Sequence, residues 1–113
     1  MKQVKTISVK ELQTLAENMY GNIVKAVVDI DKKLLVIDAE MHVDEEQYLL
    51  ENGSLQNDLW GINLHPIDYG TDSFIEFDSM INIRPRQKNM SRGVEDTTVQ
   101  GQIKDIVSGI VTK

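Results

Sequence analysis

The sequence predicts an α+β domain: a two-layer sandwich in which three helices cover one face of a four-stranded, mainly antiparallel sheet. Three observations support this class: two pairs of short runs rich in Val, Ile and Leu, a short connection within each pair, and three segments with helical signals. Neighbouring runs joined by few residues favour hairpins, and hairpins favour an antiparallel sheet. The predicted element order is αββαββα.

The first helix and the first hairpin occupy the N-terminal part of the chain. Ser8 and Glu11 have the spacing of a capping box, apolar residues follow at helical spacing, and Gly21 supplies a stop. These signals predict a helix over residues 8–20. The runs IVKAVVDI and LLVIDAEM, separated by residues 31–33, are too short for separate helices and predict two strands.

The second half of the pattern repeats the order of the first and adds a helix. Acids at residues 44–46 predict the first turn of a second helix, which ends at Gly53 as its C′ residue. The runs LWGINLHP and FIEFDSMINIRP alternate apolar and polar residues and predict a second hairpin. Thr97 and Gln100 have capping-box spacing, and the apolar stripe that follows predicts a third helix.

Length and composition predict one cytoplasmic domain over residues 1–113. Apolar residues make up 41% and charged residues 27%, both ordinary for a globular chain. The absence of cysteine excludes a disulfide framework, thiol catalysis and Cys-ligated zinc. No apolar run approaches the ~20 residues of a membrane helix, and the first residues lack the apolar region of a secretory signal. We therefore expect no membrane partner.

The charges are distributed unevenly along the chain. The net charge is -6, and residues 34–83 contain eleven acids but no Lys or Arg. Residues 84–92, which we name the basic loop, contain four cations and no acid: Arg84, Arg86, Lys88 and Arg92. The basic loop is thus a cationic island in an acidic protein.

The basic loop predicts a small-molecule anion site. Guanidinium groups match phosphate or carboxylate oxygens in a bidentate way, and a loop just before a helix offers backbone N–H groups. The candidate residues are Arg84, Arg86, Asn89, Ser91 and Arg92. If the chain stays extended past Pro85, Arg84 and Arg86 point to the same side. The alternative is that the arginines pair with the protein's own carboxylates, and Glu95 and Asp96 at the helix start favour this alternative.

A polar face of the sheet is the second candidate. Carboxylates and a histidine could hold a divalent cation or act as general acid and base there. The residues are Asp29, Asp38, Glu40, Asn63, His65, Glu76, Asp78 and Asn82, with a further group at Glu40, His42 and Asp44. Their spacing matches no defined metal motif, and a solvated face alone explains the alternation. We therefore expect no metal and no cofactor. His42 and His65 are interpreted as local hydrogen-bonding residues.

Two other classes of function lack their sequence signals. The basic loop has no aromatic residue for stacking bases, and the acidic remainder would repel phosphates, so we expect no nucleic acid partner. The chain lacks the Gly-x-Ser-x-Gly context of a nucleophilic serine, and Gly93 alone does not make a phosphate-binding P-loop. Whether the protein is an enzyme stays open.

The strings DLWGINLHP, FIEFDSMINIRP and SRGVED, followed by a short helix, carry a family resemblance. In this order they resemble a family of small bacterial and archaeal proteins known only as a domain of unknown function. The resemblance covers most of the chain. It implies a compact single domain and assigns no activity, cofactor, partner or functional residue.

The sequence therefore predicts a small cytoplasmic binding or assembly module that self-associates, with a homodimer as the expected partner state. Separate acidic and basic surfaces are self-complementary, which favours pairing of two copies. The alternative is a protein or enzyme that binds a small phosphate or carboxylate through the basic loop.

Overall fold

The chain forms three α-helices and seven short strands. The computed structural model describes all of residues 1–113. The helices are α1 (Val9–Met19), α2 (His42–Glu51) and α3 (Thr97–Ile110). The strands are β1 (Lys2–Val4), β2 (Ile7–Ser8), β3 (Val24–Asp29), β4 (Leu34–Ile37), β5 (Leu59–Leu64), β6 (Ile75–Glu76) and β7 (Val111–Thr112). None of the helices combines the length and the apolar character needed to cross a membrane.

The main sheet is antiparallel throughout, which confirms the α+β class and the mainly antiparallel pairing. Its strand order is β1-β4-β3-β5-β6. The sheet has five strands, whereas the sequence predicts four, because β1 pairs with β4 from Lys2 opposite Ile37 to Val4 opposite Leu35. The short, charged β1 has no apolar alternation that would identify it as a strand. β2 and β7 pair in parallel outside this sheet.

Helix α1 begins where the capping box predicts. Ser8 Oγ accepts a hydrogen bond from the Glu11 N–H at 3.1 Å, and Glu11 Oε1 accepts one from the Ser8 N–H at 3.3 Å. Leu12 and Ala16 are buried, one helical turn apart, and fasten the helix to the sheet. Two otherwise unpaired donors are thus satisfied at the helix start.

The first hairpin is confirmed, and it places β3 at the centre of the sheet. Val28 pairs with Leu35 of β4 and with Trp60 of β5, and all three side chains join the main core. The turn after β3 is held by Asp29, whose Oδ1 accepts from the N–H groups of Asp31 and Lys32 at 2.9 Å. The hairpin connection is therefore set by one buried carboxylate.

The helices lie on both faces of the sheet, so the predicted two-layer arrangement is wrong. α1 and α3 contribute to the main core on one face. On the opposite face, Leu49 of α2 packs against Val27, Val36 and Leu59. These three strand residues alternate with the main-core residues and would otherwise expose an apolar second face to water. Helix α2 covers that face and creates a third layer.

The predicted fourth strand over residues 74–84 is also largely wrong. Only Ile75 and Glu76 pair with β5, opposite Leu64 and Asn63. The chain then leaves the sheet and forms a 3-10 turn at Met80–Asn82. Hydrogen bonding of side chains to the backbone competes here with the strand ladder: Ser79 Oγ accepts from the Ile81 N–H at 3.3 Å.

Helix α3 is confirmed, but it has a different cap from the predicted one. Asp96 is the N-cap residue, and its Oδ1 accepts from the Thr98 N–H at 2.8 Å. The predicted capping box of Thr97 and Gln100 is therefore wrong by one residue. An acidic side chain at this position also complements the helix dipole. The predicted apolar stripe is confirmed, because it is buried in the main core at Ile103, Ile106, Val107 and Ile110.

Candidate functional site

The basic loop is organised around the buried side chain of Asn89. Asn89 Nδ2 donates to the carbonyl oxygens of Asn82 and Gly93, both at 2.8 Å, and Asn89 Oδ1 accepts from the Glu95 N–H at 2.8 Å. The backbone of Asn89 also bridges to that of Arg84. The predicted site residue Asn89 thus fixes the shape of the loop, with both ends of its amide bonded to backbone.

The backbone N–H groups that follow Asn89 are bonded to a carboxylate of the same chain. Glu95 Oε2 accepts from the N–H groups of Met90 at 2.6 Å and Ser91 at 2.8 Å. These bonds, that of Ser91 first, lower the pKa of Glu95. Ser91 Oγ accepts from the Gly93 N–H at 3.2 Å. Because Glu95 already accepts hydrogen bonds from these N–H groups, the structure favours the alternative in which the loop pairs with the protein's own carboxylates.

The four cations of the basic loop lie in three kinds of surroundings. Arg92 Nε lies 2.6 Å from Asp78 Oδ1. Arg84 is buried over the Trp60 ring and donates through Nη1 to the Gln56 carbonyl. Arg86 and Lys88 are exposed. The chain forms a 3-10 turn at Pro85–Gln87 instead of staying extended, so the condition under which Arg84 and Arg86 would point to the same side is not met.

The fold separates some residues of the predicted polar face and brings others together. Asp29 caps the turn after β3, and Asp38 lies 3.8 Å from the N-terminal amine. Glu76 Oε1 lies 2.9 Å from Asn63 Nδ2 and 3.2 Å from His65 Nε2. No group of three or more His, Asp or Glu side chains is placed to hold a metal ion.

A cleft over this second face of the sheet gathers several of the remaining polar residues. It lies between the start of α2 and the segment before the basic loop and has a volume of about 230 Å³. Its polar residues, which we name the floor, are Lys25, His42, Asn63, Asp78, Ser79 and Arg92. Its apolar residues, which we name the rim, are Met41, Val43, Met80 and Ile81. Floor and rim together combine hydrogen-bonding groups with apolar surface, as ligand sites do.

His42 contributes a neutral ring to the floor. Its Nε2 lies 2.7 Å from the Ile62 carbonyl oxygen, which can only accept, so Nε2 carries the proton. Burial lowers the pKa of His42, and the charge of Lys25 lowers it further. His42 makes a hydrogen bond as predicted, but the prediction that this bond is local is wrong, because its partner lies in β5. The ring leaves Nδ1 as an acceptor.

Asn63 contributes an acceptor without a partner. Asn63 is 6% exposed, and its Nδ2 lies 2.9 Å from Glu76 Oε1 and 3.3 Å from the Asp78 carbonyl oxygen. Its Oδ1 is buried and makes no hydrogen bond. Buried polar groups are nearly always paired, so this oxygen marks the floor as a place for a donor.

The rim continues into further exposed apolar surface. Met41, Val43 and Met80 are 51%, 52% and 65% exposed. Tyr20 lies beside them, because its hydroxyl donates to the Glu40 carbonyl at 2.6 Å and its ring centroid lies 4.9 Å from Lys25 Nζ. Tyr and Met are enriched at protein interfaces, so the two methionines of the rim and the neighbouring Tyr20 are residue types typical of one.

Two acids of α2, Glu45 and Glu46, are buried, although the sequence predicts them only as acids of the first helical turn. Burial raises the pKa of Glu45 to about 10, and neither of its carboxyl oxygens has a hydrogen-bond partner. Burial also raises the pKa of Glu46. The signal that identifies Glu45 is helical spacing, since it lies four residues before the buried Leu49 and therefore on the same face.

Comparison with known proteins returns one family. A family model described as "Protein of unknown function (DUF5674)" matches residues 3–110. No curated protein and no solved structure matches the chain. The resemblance noted on the three sequence strings is thereby confirmed at the level of a family without an assigned activity.

Proposed function

We propose that the chain, which belongs to the DUF5674 family of proteins of unknown function, is a small cytoplasmic binding module that self-associates. The proposal is drawn from its geometry. The cytoplasmic location is supported by the cysteine-free composition. The proposed interface is the rim of the cleft, and the proposed partner is a second copy of this chain.

The exposed apolar rim is the observation that carries this proposal. Met41, Val43 and Met80 expose half or more of their surface yet line a single cleft, so they form one patch rather than scattered residues. Contiguous apolar patches with polar surroundings mark interaction sites. Flexible methionine side chains adapt readily to a facing surface.

Charge complementarity points to a second copy as the occupant. Lys25 and Asp78 both line the cleft and carry opposite charges. In a two-fold dimer the same patch meets itself, so Lys25 of one copy can face Asp78 of the other. Tyr20 would add a rigid aromatic contact at the border. A stable dimer needs about 800 Å² per partner, so the interface would extend beyond the cleft to its surroundings.

Light scattering coupled to size exclusion tests the proposal. We expect the mass of a dimer for the natural chain at protein concentrations of tens of micromolar. Met80→Glu places a charge in the rim and should shift the mass to that of a monomer. Ile67→Glu is the matched control, since Ile67 is 79% exposed and lies outside the cleft. A natural chain that is monomeric at both low and high salt would exclude self-association.

The second candidate function is the binding of a small anion by the basic loop. The exposed cations Arg86 and Lys88, which make no salt bridge, favour it. The full predicted set is Arg84, Arg86, Asn89, Ser91 and Arg92. Because Asn89 and Arg84 are directed into the protein, the exposed pair would carry the contact with a phosphate or carboxylate.

A thermal-shift titration with pyrophosphate and citrate tests this candidate. A ligand at ~100 times its Kd stabilises the folded state by roughly 2.7 kcal/mol, which raises the melting temperature measurably. The double variant Arg86→Ala, Lys88→Ala should abolish the shift, whereas Lys104→Ala on α3 should retain it. A shift that persists in the double variant would place the anion elsewhere.

A further inference from the structure

The unpaired acceptor of Asn63 has a fixed orientation. Reversing its amide would place Oδ1 against the Glu76 carboxylate and the Asp78 carbonyl, which are both acceptors. Oδ1 therefore stays where it is, buried and without a donor. A buried acceptor left without a donor is destabilising, so a ligand that supplies an N–H group gains at this position.

A second acceptor lies on the same floor. His42 donates through Nε2 to the Ile62 carbonyl, so its neutral ring offers Nδ1 to a donor. The Asp78 carboxylate contacts Arg92 through Oδ1 and leaves its second oxygen as a further acceptor on the floor. Two neutral acceptors and a carboxylate together suit a cationic group with several N–H bonds, which is an ammonium.

A cation lies directly across from these acceptors. Lys25 of β3 pairs in register with Asn63 of β5, so the two side chains leave the sheet on the same face. Lys25 Nζ forms no salt bridge and lies 4.9 Å from the centre of the Tyr20 ring. The ammonium group of Lys25, which forms no salt bridge, thus lies on the strand next to Asn63 and its unpaired acceptor.

We infer that the cleft binds a free α-amino acid with an apolar side chain. The ligand's ammonium donates to Asn63 Oδ1 and His42 Nδ1, its carboxylate accepts from Lys25 Nζ, and its side chain lies against the rim. The volume of about 230 Å³ is below the ~300–1,000 Å³ of pockets for drug-sized ligands, which suits a molecule of this size. This inference goes beyond self-association, because the polar groups of the floor recognise the ligand and the rim supplies only the apolar contact.

Nuclear magnetic resonance of the ¹⁵N-labelled chain, titrated with L-leucine, tests the inference. With leucine up to about 10 mM, tenfold above a Kd of ~1 mM, we expect saturable shifts of the Asn63 side-chain amide and of the backbone amides of His42 and Lys25. 4-Methylpentanoate lacks the ammonium and 3-methylbutylamine lacks the carboxylate. Each should bind about tenfold more weakly or worse, because each leaves one charged group of the floor without its partner.

A substitution of the half-buried Lys25 tests the same site without disturbing the fold. Lys25→Met preserves the length of the side chain and should weaken leucine binding about tenfold, whereas Lys104→Met should leave it unchanged. The inference is overturned if leucine shifts none of the named amides, if 4-methylpentanoate binds as tightly as leucine, or if Lys25→Met binds leucine normally. The readout is a local amide shift rather than a mass, so this inference and self-association can fail separately.

Discussion

The guanidinium carbon of Arg84 lies 4.2 Å from the centroid of the Trp60 ring, and both side chains are buried. Arg84 Nη1 also donates to the carbonyl oxygen of Gln56. A guanidinium over an indole ring is attracted by the ring's electrons, more strongly when water is excluded. The first arginine of the basic loop therefore fastens the loop to β5, whereas Arg86, two residues later, is exposed.

Replacing Arg84 should destabilise the fold. Arg84→Ala removes the stacked guanidinium, leaves the Gln56 carbonyl without its donor and opens a cavity beside Trp60. We expect the free energy of unfolding to fall by about 2–4 kcal/mol. Urea denaturation followed by circular dichroism measures it. Arg86→Ala is the control and should stay within ~0.5 kcal/mol of the natural chain; equal losses for both variants would refute a structural role of Arg84.

Gly61 should tolerate no side chain. A Cβ at Gly61 would lie 2.5 Å from Ser79 Cβ, so residues 79–82 would have to move away from β5. We expect Gly61→Ala to lower the free energy of unfolding by about 1–3 kcal/mol or more. Gly101→Ala is the opposite case, since nothing lies within 4 Å of its Cβ position and it lies within α3. That variant should gain roughly 0.5–1 kcal/mol.

The buried carboxyl of Glu45 should make stability depend on pH. Its folded-state pKa is raised to about 10, from 4.5 in the unfolded chain. Between these values the unfolded chain has released the proton while the folded chain retains it, so the free energy of unfolding falls as pH rises. The slope is at most about 1.4 kcal/mol per pH unit.

Glu45→Gln isolates this effect, because Gln resembles the protonated acid and does not titrate. We expect the variant to melt near the natural chain's temperature at pH 5 and several degrees above it at pH 8. Glu51→Gln, at an exposed position of the same helix, should show no such divergence. Parallel melting curves of Glu45→Gln and the natural chain from pH 5 to 8 would show that Glu45 is ionised in the folded state.

Replacing Lys88 with glycine should stabilise the fold. Its φ of 61° is left-handed, a conformation that costs most side chains ~1 kcal/mol or more and that glycine adopts freely. We expect Lys88→Gly to raise the free energy of unfolding by about 0.5–1 kcal/mol. Lys104→Gly makes the same change within α3 and should lower it by about 1 kcal/mol. If both variants lower stability alike in urea denaturation, the left-handed backbone at Lys88 is not strained.

The predictions from sequence hold where local signals and burial agree. Helix α1 follows from the reciprocal bonds of Ser8 and Glu11, and the first hairpin follows from its runs of β-branched residues. The strand predicted over 74–84 fails because the chain turns there to bury the polar residues Ser79, Asn82 and Arg84, while Ile83 is exposed. Asn82 bonds backbone atoms of β5 and so does not take part in a strand ladder of its own.

The site is predictable only in part, because its residues converge from distant segments. Asp78, Asn63 and His42 are named from the sequence, but as members of a polar face or a local junction rather than of one cleft. The pairing of Lys25 with Asn63 depends on the register of β3 and β5, which no local pattern specifies. The burial of Glu45 depends on α2 covering the second face of the sheet.

The side chain of Asn82 has a consequence for how copies of this protein can meet. Its Oδ1 accepts from the Gly61 N–H at 2.8 Å, and its Nδ2 donates to the Gly61 carbonyl at 2.9 Å. Both groups are ones that a free strand edge would present to another molecule as a template for strand addition. Beyond the end of β6, the side-chain amide of Asn82 thus occupies the backbone groups of Gly61, so that a strand of another molecule cannot pair with β5 there. Another molecule that contacts this end of the sheet would therefore meet side chains rather than free backbone groups.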